Sequence, residues 1–149
     1  MLDAIVNKDM TLRNLVEFYR RIHGFTASSI VEAVEILRRM IADKESINFL
    51  SFTGNIVATG LRGLLAQMLR NKMFDVVITT CGTIDHDIAR SFGGKYYKGR
   101  FDVDDEMLLE NGIHRLGNIY IPIENYGQPA ADIICANPGK SFRSCWIEF

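Results

Sequence analysis

Apolar residues at Leu12, Leu15, Val16, Tyr19 and Ile22 recur at the three- and four-residue spacing of an amphipathic helix, and Gly24 supplies a C-terminal stop. Ser29 and Glu32 have capping-box spacing, with Ile30, Val34, Leu37 and Ile41 on one face behind them, which predicts a second helix over about 29–42. From Ile47 the period changes. Residues 47–52 are short and mostly apolar and read as a strand, Thr53-Gly54-Asn55 as a tight turn, and Ile56, Leu61, Leu64, Leu65 and Leu69 as a helical face ending at Asn71-Lys72. The β-branched run 74–80 suits a strand buried on both faces, so the segment predicts one βαβ unit.

That layout then repeats. Cys81-Gly82-Thr83 is a second small-residue turn that opens a helix through Phe92, broken by Gly93-Gly94. Residues 102–110 predict an acidic helical segment stopped by Asn111-Gly112, and residues 118–123 a third strand of the same parallel sheet. From Gln128 to the end no period emerges in either register, and the segment stays unassigned. Three strands make a very small parallel sheet with an open edge, so the chain reads as half of a doubly wound α/β fold that calls for association.

A length of 149 residues fits about one domain by size, and 48% hydrophobic residues suffice for an ordinary core. With 17 Lys+Arg against 18 Asp+Glu and no basic block, nothing favours a nucleic-acid partner or an anionic membrane surface. Cys81, Cys135 and Cys145 form no C-x-x-C pair, so neither a disulfide framework nor a zinc module is implied. The early residues lack an apolar h-region, and the most apolar stretch, 47–69, is interrupted by Asn48, Gly54, Asn55, Gly60, Arg62 and Gly63, which argues against a membrane span. These features predict a soluble cytoplasmic protein.

In open α/β sheets, ligands bind beyond the carboxyl ends of strands, where turn amides and helix N-termini face them. Two such turns are predicted side by side. In the first, Gly54 offers no side chain to hold a phosphate away from the backbone, and Thr53 and Asn55 add hydrogen-bonding groups; in the second, 79–83 does the same. Neither matches the G-x-G-x-x-G or Walker spacing. Asp85, His86 and Asp87 open the second helix, where carboxylates suit the dipole and can also meet a ribose hydroxyl or an amine. Helix capping alone explains Asp85 and Asp87 equally well. Cys81 at a helix start, with His86 as its base, is the weaker nucleophile reading. His23 and His114 are scattered and predict no metal site. The acidic run 102–106 lacks the glycine and closing glutamate of a calcium loop, so it reads as a solvated helix start. Tyr126 and Trp146 stand isolated, without a stacking platform.

Residues 51–62, 75–87, 110–118 and 122–126, in this order and spacing, closely resemble the deoxyhypusine synthase family; with the two N-terminal helices, the resemblance covers roughly 7–127. It implies a Rossmann-like parallel sheet with flanking helices, present here in part: a partial NAD-binding α/β domain over 1–127 and a divergent tail over 128–149. The family activity so implied is transfer of the aminobutyl group of spermidine, with NAD as cofactor and through an enzyme lysine imine, to one lysine of the initiation factor 5A precursor. The resemblance places Gly54, Asn55, Ile56, Val57 and Ala58 on the family's first NAD segment and Thr80, Cys81 and Gly82 on its second. It also implies a homo- or hetero-oligomer with sites at subunit interfaces. Asp85 and His86 stand where many members carry two glutamates that touch NAD and polyamine, and Cys81 where alanine is common.

The family is about twice this length. Its Trp-Gly-Lys-type segment, which carries the catalytic lysine, has no counterpart in these residues, so the chain alone is expected to be inactive. Lys140, beside Pro138-Gly139, lacks the surroundings of an imine-forming lysine and reads as a solvated turn residue. A homospermidine synthase-like relative and a non-catalytic subunit that completes a full-length synthase are the alternative readings.

Overall fold

The computed structural model describes Asp3 and residues 5–136, so Lys140, Cys145 and Trp146 lie outside the described residues. The chain forms two compact units, one up to Asn48 and the other from Phe49.

The first unit is a helical hairpin. Helix α1, Leu12–Ile22, starts at a capping box in which Thr11 and Asn14 satisfy each other's backbone amides, and Arg20 and Arg21 lie in its last turn, where the helix dipole favours positive charge. Helix α2, Phe25–Ala42, begins four residues before the predicted Ser29 cap. Gly24, at φ +90°, reverses the chain directly, and the Ser28 hydroxyl accepts from the Gly24 amide, so no cap at Ser29 is needed. Arg20 bridges the hairpin to Glu35 at 2.8 Å. At the end of the unit, buried Asn48 donates to the Met40 carbonyl.

The second unit holds two separate sheets. Strand β1, Phe49–Phe52, and strand β2, Val76–Thr79, pair in parallel, Phe49 opposite Val76 and Phe52 opposite Thr79. Between them a 3₁₀ segment, Gly54–Ala58, precedes helix α3, Arg62–Arg70. The expected single helix is thus split. The Thr59 hydroxyl donates to the Ile56 carbonyl and accepts from the Leu61 amide, closing one segment and opening the next. Val57, Leu65 and Ala66 form a core against Leu50 and Phe52, on one face of the small sheet. On the other face Phe49 and Ile78 remain 58% and 57% exposed.

Helix α4, Gly82–Ser91, follows β2 and packs closely on the 3₁₀ segment. Strand β3, Tyr97–Lys98, is followed by helix α5, Asp105–Glu110, capped by Asp104. Strands β4, Ile113–Leu116, and β5, Ile119–Pro122, complete an antiparallel sheet of order β3-β5-β4. This corrects the expected third parallel strand. Only Gly117 and Asn118 separate β4 from β5, enough for a hairpin and far too short for a parallel crossover. Helix α6, Gln128–Ala136, orders the described part of the unassigned tail; its Ala130 packs with Ile88 and Ala89 of α4. The result is a mixed α/β protein with a two-stranded parallel sheet and a separate antiparallel one.

Arg62 and Asp87 join α3 to α4 in the interior. The Arg62 Nε donates to Asp87 Oδ1 at 2.5 Å, and its Nη2 donates to the Asp87 carbonyl and to Ser91 Oγ. Both side chains are at least nine-tenths buried. Removing one member leaves a desolvated charge, so Asp87→Ala is expected to cost about 3–5 kcal/mol. Urea denaturation checks this: a midpoint close to the parent's would show that the pair contributes little.

Candidate functional site

Because β1 and β2 run parallel and in step, their carboxyl ends deliver two turns to one edge. The turns are bound to each other. The Gly54 amide donates to Thr80 Oγ1 at 2.8 Å, and Thr79 Oγ1 donates to the Phe52 carbonyl at 2.8 Å. With its single proton so used, Thr79 Oγ1 accepts from buried Thr83 Oγ1 at 2.6 Å. Gly54 lies so close to the start of α4 that a Cβ there would stand 2.5 Å from Gly82 C and Thr83 N. The absent side chain therefore serves contact between the turns.

This packing sorts the residues singled out in the sequence. Gly54, Val57 and Ala58 are buried, Val57 and Ala58 as part of the hydrophobic interior, so these three can offer a ligand at most their main chain. Asn55, Thr80 and Cys81 are exposed at the rim, while Ile56 and Gly82 are half-buried. At the start of α4, the amides of Thr83, Ile84 and Asp85 are spent on the Thr80 and Cys81 carbonyls, so the turn's remaining main-chain donors are those of Cys81 and Gly82. The rim thus presents hydroxyl, carboxamide and thiol groups beside a short amide array.

One turn further along α4, His86 is buried and held on two sides. Its Nδ1 shares a hydrogen bond with Tyr96 Oη at 2.8 Å, and its ring stacks on Tyr126 with centroids 4.6 Å apart. Tyr126 is therefore not isolated, as the sequence suggested: the chain after β5 lays it against α4. Burial lowers the His86 pKa below its ordinary value of 6.5; Asp85 opposes that shift and Arg90 adds to it. Burial raises the Tyr96 and Tyr126 hydroxyls, so both stay protonated around neutrality. Among the described residues no hydrogen bond links His86 to Cys81, and the base that a Cys81 nucleophile needs is engaged elsewhere. Asp85, half-exposed, and Tyr126 border a cavity of about 210 Å³ floored by Ala130, Ala131 and Ile134.

Asp87 is no simple helix-start acid. It faces inward to Arg62, a role that sequence reasoning missed along with the roles of Arg90 and Tyr96. Only the i, i+4 spacing of His86 and Arg90 hinted that one face of α4 carries both. Among the described residues no cluster of three or more His, Cys, Asp or Glu could hold a metal ion.

The deoxyhypusine synthase family model matches residues 14–137, most of the chain. The chain belongs to the deoxyhypusine synthase family. A probable deoxyhypusine synthase of Ignicoccus hospitalis is 54% identical over 132 residues, covering 89% of this chain and 41% of that protein. That of Sulfolobus acidocaldarius is 59% identical over 123 residues, covering 83% and 39%. A solved structure from Entamoeba histolytica, also described under the deoxyhypusine synthase name, overlays 58% of this chain and 36% of its own at 25% identity and a TM-score of 0.47. The chain thus spans about 40% of the length of the curated relatives it matches. Membership makes this a piece of a transferase family, and the matched segment takes in both strand-end turns and the whole of α4.

Because His86 resists protonation in the folded chain, its stabilising share is present above about pH 6.5 and is lost as pH falls toward its depressed folded value. Urea midpoints at pH 7.5 and 5.5 should therefore fall more steeply for the parent than for His86→Phe. Equal slopes would show that His86 is not held neutral.

Proposed function

We propose that this chain is the cofactor-side portion of a deoxyhypusine synthase, whose whole-protein reaction transfers the aminobutyl group of spermidine to a lysine of the initiation factor 5A precursor. The observation that carries the reading is the family match over 14–137, combined with two strand-end turns locked side by side. Bound NAD would supply the hydride acceptor for oxidation of the amine. Around it, Asn55, Thr80 and the Cys81 and Gly82 amides would bind and orient the dinucleotide from the rim, while Gly54, Ile56, Val57 and Ala58 fix the turn that presents them. Asp85, over an apolar floor and beside Tyr126, would take a protonated amine, and neutral His86 would hold Tyr126 in place without adding a competing positive charge.

The lysine that forms the imine lies outside these 149 residues in this reading. The uncovered sheet face supports completion by further protein: a parallel sheet is normally covered on both sides, yet Phe49 and Ile78 stay more than half exposed. That face also favours an oligomer or a complex with a full-length synthase over a chain that works alone. No helix among the described residues is long and apolar enough to cross a membrane.

Incubation of the purified chain with NAD and spermidine, with diaminopropane as the readout, tests the assignment. No diaminopropane is expected from the chain alone, and release is expected once a complementary segment carrying the lysine is added. Release by the isolated chain would place the transfer lysine among the residues present here, and silence in both would remove the synthase reading.

A further inference from the structure

A second cavity, of about 320 Å³, opens between the end of the 3₁₀ segment, the C-terminal half of α4 and the antiparallel sheet, with Thr59, Gly60, Arg90, Tyr97, Lys98 and Asn118 in its wall. Its lining contains two cationic side chains and no carboxylate. Arg90 is half-buried, and one of its nitrogens, Nη1, donates to the Val57 carbonyl at 2.9 Å and the Thr59 carbonyl at 2.6 Å, while the guanidinium stands 5.6 Å over the Tyr96 ring. These contacts orient the group without an ion pair: among the described residues neither Arg90 nor Lys98 makes one, and Asp87, which acts on Arg90 only at longer range, is paired to Arg62. Partly desolvated charges are ordinarily paired. A guanidinium has five donors, and Nε and Nη2 carry those not spent on the two carbonyls.

From this geometry we infer that the cavity is an oxyanion site, built for a phosphate group that Arg90 grips through Nε and Nη2 and whose charge Lys98 helps to neutralise. A planar fork already fixed by two carbonyls and a ring face loses little freedom when it takes a tetrahedral anion. The Tyr97 hydroxyl and the Asn118 amide supply further hydrogen bonds, while the Thr59 hydroxyl keeps its one proton on the Ile56 carbonyl, and the volume leaves room for a small organic group on the phosphate. The site lies away from the second strand-end turn, since Arg90 is eight residues beyond Gly82, about 12 Å along the axis of α4, and it adjoins only the far end of the first turn's segment, at Ala58. It is also independent of the synthase reaction, and its test reads binding alone.

Amide NMR of the 149-residue chain, titrated with inorganic phosphate and with methyl phosphate at constant ionic strength, decides the matter. Saturable shifts centred on Thr59, Gly60, Lys98 and Asn118 are expected with both, and tighter binding of the monoester would identify the natural ligand as a phosphorylated molecule and not the free ion. Arg90→Gln should abolish the shifts, but Arg90 also holds the 3₁₀ segment. The exposed Lys98→Gln is therefore the cleaner variant: it should leave the unliganded spectrum unchanged outside its neighbours and weaken binding about fivefold. Shifts that fail to saturate, that chloride reproduces, that centre on Cys81 and Gly82, or that keep the parent affinity in Lys98→Gln would overturn the inference.

Discussion

The contact between Gly54 and the first residues of α4 governs the rest of the second unit. Two parallel strands of four residues are a weak scaffold, and nothing in their ladder fixes where the following turns go. Backbone-to-backbone contact at Gly54 and Gly82, with the Gly54 amide on Thr80 Oγ1, closes that freedom. The 3₁₀ segment is then pressed on α4, and Val57 and Ala58 are carried inside. What remains at the surface, Asn55, Thr80 and Cys81, forms a short polar rim whose members come from two distant stretches of chain.

Around this junction the interior is unusually polar, and each polar group has a defined partner. Arg62 and Asp87 tie α3 to α4, Arg90 ties α4 to two carbonyls of the 3₁₀ segment, and His86 is fixed between Tyr96 and Tyr126. Such groups stabilise less than an apolar core of the same volume would, but each accepts only one arrangement of its neighbours. Helix α4 is thereby fixed against four other segments.

Much of this was legible in the sequence. The two parallel strands follow from β-branched and apolar runs ending in small-residue turns, and the family resemblance rests on those same turns. The antiparallel sheet was not legible, because residues 113–116 mix His and Arg with apolar neighbours and only pairing with β5 makes them a strand. The start of α2 was misplaced because a glycine reversal at Gly24 leaves no side-chain capping signature. Asp87 was indistinguishable from a helix-start acid until Arg62, twenty-five residues earlier, was seen against it. Tyr126 seemed solitary for the same reason: its partner, His86, is forty residues away. Ala58 and Val57 fall within the family's cofactor segment, yet their burial follows from the turn contact and could not be read from spacing.

The missing side chain of Gly54, and not that of Gly82, holds the two turns together. This is tested most directly by comparing the unfolding free energies of Gly54→Ala and Gly82→Ala. A methyl at Gly54 meets main-chain atoms that cannot step aside, whereas at Gly82 the nearest atoms are 3.8 and 3.9 Å away, at ordinary contact. A loss of about 1–3 kcal/mol or more is expected for Gly54→Ala and a change within about 1 kcal/mol for Gly82→Ala. Equal effects, or a neutral Gly54→Ala, would contradict it.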